Sequence, residues 1–116
     1  LDRPDFSKAV IDPAKLVRYL LALDHPEGGA KAIFFRGCGF SPDAWERFAA
    51  ALRRQGAEGR VTSEVSAFGV KVIVDGPLLA EDGRVRPIRS VWIIDGGEAM
   101  PRFVTAYPLE SRRAAG

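Results

Sequence analysis

The stretch Leu23–Phe40, LDHPEGGAKAIFFRGCGF, holds the only histidine of the chain, His25, followed by a proline, a Gly-Gly pair and a lysine, Lys31. Imidazole is the side chain whose reference pKa, about 6.5, suits proton transfer near neutrality. A lysine six residues on is a fixed positive charge, fit to offset charge growing on an anion. Gly28 and Gly29, ahead of a helical pattern, would let backbone N–H groups approach a phosphate at a helix N-terminus. The residue types therefore point to acid–base chemistry beside an anionic group. Plainer readings stand beside this one. A histidine before proline is first a turn residue, whose removal should cost within about 0.5 kcal/mol. Lys31 is first a solvated helix charge, and Gly-Gly is first a helix start, since it matches no glycine-loop motif.

Other chemistries lack their residues. A single cysteine, Cys38, excludes an intramolecular disulfide. In GCGF it reads as a small thiol tucked beneath an aromatic rather than as a nucleophile for His25. No His, Cys and carboxylate spacing suits a zinc or iron site. No carboxylate pair stands out for glycoside hydrolysis. No metal and no cofactor is expected.

The elements that must position these residues follow from capping and periodicity. Asp12 and Pro13 open a first helix with Leu16, Val17, Leu20, Leu21 and Leu23 on its apolar side and Tyr19 at its edge. His25-Pro26 stops it. A short second helix spans Gly28–Arg36, burying Ala32, Phe35 and Phe34. Ser41 caps a third, with Pro42 first and Trp45, Phe48, Ala49 and Leu52 as its stripe; Gly56 ends it. The period then turns to alternation. RVTSEVSAF is a weak strand and GVKVIVDGPLLA a strong one, with Val70, Val72 and Val74 on one face. EDG is a hairpin turn. RVRPIRSVWIID returns, with Pro87 marking an edge or a bulge. RFVTAYPL is the last strand, and Trp45 and Trp92 read as core. Helices followed by consecutive antiparallel strands make an α+β domain, about three helices packed on a four-stranded sheet. Residues 1–11 form an arm and 110–116 a loose tail.

The chain has 116 residues, 47% hydrophobic and 28% charged, with a formal charge of +2, which fits one globular domain, 1–116. It has no apolar run of membrane-spanning length, so no membrane partner is expected. Arg53, Arg54 and Arg60, and then Arg84, Arg86, Arg89 and Arg102, leave room for local basic patches. The start at Leu1 rather than methionine fits a piece cut from a longer chain with an upstream delivery region.

The pattern KLVRYLL…HPEGGAKAIFF…GF…W…L, then G.L…DGR…RSVWIID and PRFVTAYP, resembles a small bacterial domain family met at the ends of polymorphic toxins and beside antitoxin-like genes. Through its architecture and VTAYP strand it is similar in turn to the barnase–colicin–RelE group of ribonuclease toxins. The resemblance runs from Lys15 to Pro108. It points to His25, Lys31, Arg89, Ser90, Thr105 and Tyr107 without fixing their roles; the chemistry of the residue types makes His25, Lys31, Arg89 and Thr105 the expected catalytic residues, with Ser90 and Tyr107 joining Gly28 and Gly29 in substrate binding. It also implies an RNA substrate, a cognate immunity or antitoxin protein, and action in the cytoplasm after delivery as the C-terminal part of a secreted toxin. The matching chemistry is attack by the RNA 2′-hydroxyl on the adjacent phosphorus, with His25 taking the proton, Lys31 and Arg89 neutralising the phosphate, Thr105 or Ser90 holding a phosphate oxygen and Tyr107 stacking a base. A lone histidine excludes an imidazole pair acting as base and acid. The rival expectation is a non-enzymatic module that holds a protein on its exposed sheet face; then His25 and the cations should scatter. A DNA nuclease is disfavoured by the missing metal-ligand spacing.

Overall fold

The structure, a computed structural model, describes residues 3–109; the tail expected at 110–116 lies outside them. Three helical stretches precede a meander of four antiparallel strands in the order β1-β2-β3-β4. These strands are β1 (Arg60–Ser66), β2 (Gly69–Leu79), β3 (Val85–Asp95) and β4 (Arg102–Pro108). The α+β class read from the sequence is the observed one.

Alternation decides the two faces of the sheet. Val72, Val74 and Leu78 of β2, Ile88 and Trp92 of β3, and Phe103 and Ala106 of β4 point to the helices and are buried. On the opposite face the register sets Asp75, Arg89 and Tyr107 side by side. Pro77 and Pro87 face each other across β2 and β3. Proline has no N–H to donate, and these two sit beyond the ends of the neighbouring ladders, which reach Asp75 on one side and Ile88 on the other. The bulge lies elsewhere, in β4. Val91 pairs with Thr105 and Trp92 with Phe103, so Val104 is the extra residue.

The helices meet the core face, with three departures from the sequence pattern. Asp12 caps α1 (Pro13–Lys15) through a bond from the Ala14 N–H, but the chain then widens into a π-helical segment, Leu16–Leu20. The Leu21 N–H reaches back five residues to the Leu16 carbonyl at 2.8 Å. Leu16, Leu20 and Leu21 are buried, whereas Leu23 is left exposed because the helix has already ended. Next, α2 (Gly29–Gly37) buries Ala32 and Phe35. Ser41 makes no capping bond: Pro42–Ala44 is a 3-10 turn, and α3 starts after it, Trp45–Glu58. Finally, α3 runs through Gly56. A β-carbon there would stand 2.6 Å from the Phe6 ring, so this glycine makes room for the arm rather than ending the helix. Arg3 closes the end, donating to the carbonyls of Gly56 and Gly59 at 2.8 and 2.6 Å. The arm is thus a packed strap with Phe6, Ala9 and Ile11 in the core.

Candidate functional site

The bulge at Val104 lets two consecutive β4 residues, Val104 and Thr105, face one cleft, where strict alternation would send them to opposite sides. The other wall comes from α1, the π-helical segment and the turn into α2. Ala14, Lys15, Arg18, Tyr19, His25, Glu27 and Lys31 complete an open cleft of about 580 Å3. Arg36 ties α2 to the first helix by donating to the Leu21 carbonyl at 2.9 Å.

Tyr19 is at the centre. The Lys31 ammonium donates to its hydroxyl at 2.7 Å. The ammonium also lies 4.9 Å from the ring centroid, within reach of the ring's π system. The His25 ring meets Tyr19 edge-on, 4.9 Å between centroids. The Tyr107 ring lies on the other side of the Lys31 ammonium, 5.7 Å away.

His25 is held by its own turn. Its Nδ1 accepts the N–H groups of Glu27 and Gly28 at 3.0 and 2.9 Å. A nitrogen that accepts carries no proton, so the neutral ring has its N–H at Nε2. The lone pair needed for a base is engaged in the turn, and what the ring has to offer is a donor. The glycine cradle is used up likewise. The Gly28 N–H goes to Nδ1 and the Gly29 N–H to the His25 carbonyl, neither being left for a phosphate. Gly28 serves packing: a β-carbon on it would lie 2.8 Å from the Tyr19 ring.

Of the residues expected from the sequence, His25, Lys31 and Thr105 line this cleft, and Tyr107 flanks Lys31. Arg89 does not line it. It sits one strand further on the open face, its Nε and NH2 donating to the Asp75 carboxylate at 2.6 and 2.7 Å. Hydrogen bonding to Asp75 first, and then to Tyr107, holds its pKa above the ordinary guanidinium value. Ser90 lies on the other side of the sheet, fully buried. Its hydroxyl donates to Gln55 Oε1 at 2.6 Å and accepts from Trp92 Nε1 at 2.8 Å, and Gln55 in turn donates to the Val74 and Ile88 carbonyls. Such a closed polar network fixes a helix on a sheet and leaves Ser90 nothing for a substrate. Cys38 is buried too, and desolvation pushes its thiol up, away from nucleophilic use.

Sequence reasoning passed over Tyr19, Lys15, Arg18 and Glu27. Lys15 and Arg18, three apart on a helix, share a face, and that spacing was the available signal. Lys15 donates to the Val104 carbonyl at 3.2 Å, a neutral partner. Among the described residues, none of Lys15, Arg18 and Lys31 is in an ion pair. Thr105 Oγ1 is shielded from solvent and has no hydrogen-bond partner among the described residues. No group of three or more His, Cys, Asp or Glu gathers among the described residues as a metal would need. None of their helices is long and apolar enough to cross a membrane.

A helical layer on one face of an antiparallel meander, with a basic cleft where the first two helices meet the last strand, defines the class. The chain belongs to the family described as a domain of unknown function, DUF6883, whose model matches residues 3–110. None of the curated proteins matches it. Among solved structures, its fold is similar to that of a contact-dependent growth inhibition toxin–immunity protein complex from Klebsiella pneumoniae 342. The TM-score is 0.72 at 14% identity, over 92% of this chain and 98% of the other.

Proposed function

We propose that this domain is a toxin that cleaves RNA by 2′-hydroxyl attack, without a metal, and that a cognate immunity or antitoxin protein blocks it. The observation that carries the reading is the convergence of Lys15, Arg18 and Lys31, none in an ion pair among the described residues, on one cleft with Tyr19, His25 and Thr105. Cations and donors gathered along one cleft are what a crowded, doubly charged phosphate requires. A binding module that used the open sheet face would have no need to gather them. The similarity in fold to a chain of a contact-dependent growth inhibition toxin–immunity protein complex supports the same direction. The Thr105 hydroxyl, without a hydrogen-bond partner among the described residues, has room in its bonding for a phosphate oxygen. His25 donates Nε2–H to another. Glu27, the carboxylate lining the cleft, takes the 2′-hydroxyl proton. Tyr107 and Arg89 extend the surface on the open face, where a base stacks on the tyrosine ring. The domain acts in the cytoplasm of a target cell, carried there as the C-terminal part of a secreted toxin.

Incubating the purified domain with RNA in EDTA tests this. Products should carry a 2′,3′-cyclic phosphate and a 5′-hydroxyl. A single 2′-deoxy sugar at the scissile position should block cleavage there and leave binding intact. Cleavage of the deoxy substrate, or total loss of activity on chelation, overturns the mechanism. Failure of the free domain to cut any RNA overturns the ribonuclease reading and favours the binding module.

A further inference from the structure

Cleavage by the 2′-hydroxyl needs a second proton, delivered to the departing 5′-oxygen. The cleft has no second imidazole to provide it, and the His25 Nδ1 is already engaged by two backbone N–H groups. The Tyr19 hydroxyl is differently placed. An ammonium has donors only, so in its 2.7 Å bond to Lys31 the phenol oxygen is the acceptor. The phenol's own hydrogen is left over, and among the described residues no protein atom accepts it; the residue faces the cleft. A phenol is a weak acid, but the anion left when it gives up its proton forms beside a positive charge already in contact. Such stabilisation is in place before the reaction begins and needs no reorganisation at the moment of proton transfer.

The ring is also fixed in place. It rises from the π-helical segment, so its direction is not that of an ordinary helical residue. Gly28 closes against one side, where a β-carbon would come within 2.8 Å of Cδ1 and Cε1, and the His25 ring abuts another side. Side chains locked in this way are what a positioned acid needs.

From this geometry we infer that Tyr19 is the catalytic acid, giving its phenolic proton to the 5′-oxygen as the phosphorus–oxygen bond breaks. The inference rests on the ribonuclease reading. The balance is complete. The 2′-hydroxyl proton passes to the Glu27 carboxylate, and the 2′-oxygen forms its bond to phosphorus. The 5′-oxygen leaves with the bonding electron pair and takes the Tyr19 proton. Glu27 then returns its proton through solvent in the open cleft to the phenolate, restoring both groups. Lys31 stays protonated throughout as the charge partner, and Gly28 and the His25 ring are positioning groups for the phenol.

A sulfur-substituted substrate separates this role from a structural one. In a 5′-bridging phosphorothiolate, the leaving thiolate departs without being protonated, because thiols are far stronger acids than alcohols. Single-turnover cleavage is measured for wild type and Tyr19→Phe on matched oxygen and sulfur linkages, with thermal melting to confirm that the variant is folded. Tyr19→Phe should slow the oxygen linkage by about 100-fold or more, the ordinary range for a lost general acid. It should cut the sulfur linkage near the wild-type rate. Lys31→Met should show the same contrast in weaker form. Equal losses on both linkages, or a wild-type rate for Tyr19→Phe on oxygen, overturn the assignment and leave the ribonuclease reading standing. No cleavage of either linkage by the wild type overturns the ribonuclease reading itself, and the role of Tyr19 falls with it.

Discussion

Gly28 has the Tyr19 ring where a side chain would begin: an added β-carbon would lie 2.8 Å from two ring carbons and 2.9 Å from the Tyr19 carbonyl oxygen. The carbonyl belongs to the backbone and does not yield as a side-chain tip does. Gly28→Ala must therefore push the His25 turn and the tyrosine apart. We expect a loss of about 1–3 kcal/mol, as for overpacking elsewhere, and a fall in RNA cleavage that outlasts correction for unfolded protein. Gly37→Ala is the control. It closes α2, and nothing lies within 4 Å of the added carbon, so it should be neutral or stabilising by up to about 1 kcal/mol. Urea titration of both variants measures the difference; equal stabilities would mean that the Gly28 contact imposes nothing.

His25 separates stability from chemistry in a way its sequence context hid. A turn histidine reads as nearly free to remove, yet Nδ1 here accepts two backbone N–H groups. His25→Ala should cost about 1 kcal/mol, as the loss of a helix-capping side chain does. His25→Asn places an amide oxygen close to the position of Nδ1 and should recover most of that stability while lacking the Nε2–H donor. Melting temperatures of the two variants, read beside cleavage rates, check this. If Asn restores cleavage along with stability, the ring serves only the turn.

The sheet was legible because its signals are local. Alternating valines, EDG at a hairpin and the aromatic return strand depend on neighbours within a few residues. The core face followed from the same alternation. The departures lie where one element answers to another. Gly56 looked like a helix end, but a glycine inside a helix is also how a crossing ring gets close, and Phe6 is fifty positions away. The candidate site divides in the same manner. His25, Lys31 and Thr105 were readable as residue types with a chemistry, and they share a cleft. Tyr19 was not, because its direction comes from a π-helical widening, and Thr105 reaches the cleft through a bulge; neither has a sequence signature. Ser90 misled because mid-strand serines look alike whichever face they take, and the burial of Gln55 opposite it is a tertiary fact.

Thr105 offers a test in which stability and function should move in opposite directions. Its hydroxyl is shielded and has no partner among the described residues, and a polar group in that state costs about 1–3 kcal/mol. Thr105→Val keeps the shape and removes the cost, so the free domain should be as stable as wild type or more so. RNA affinity should fall if the hydroxyl holds a phosphate oxygen. Calorimetric melting with and without a non-cleavable RNA gives both numbers. Lower stability in the free domain would show that the hydroxyl has a partner, and unchanged affinity would remove it from the site.

The cations of the cleft and of the open face should differ in salt dependence. Each contact between a cation and a single-stranded phosphate releases counterions and contributes about 0.7 to the slope of log affinity against log salt. Lys31 and Arg18 line the cleft without an ion pair among the described residues, so a phosphate is their natural counter-charge. Arg89 already has one: two of its nitrogens hold the Asp75 carboxylate, and the pair together is neutral. Binding of an RNA with a 2′-deoxy scissile sugar should therefore lose about 0.7 of slope in Lys31→Ala and again in Arg18→Ala. Arg89→Ala should change the slope far less, and Asp75→Asn should raise affinity by freeing the guanidinium. Arg54 provides the surface control, since it pairs with Glu58 one helical turn along α3, outside the cleft. Slopes that stay at the wild-type value in both Lys31→Ala and Arg18→Ala would mean that the backbone of the RNA does not pass through the cleft. A large change in Arg89→Ala alone would move the binding track onto the open face of the sheet.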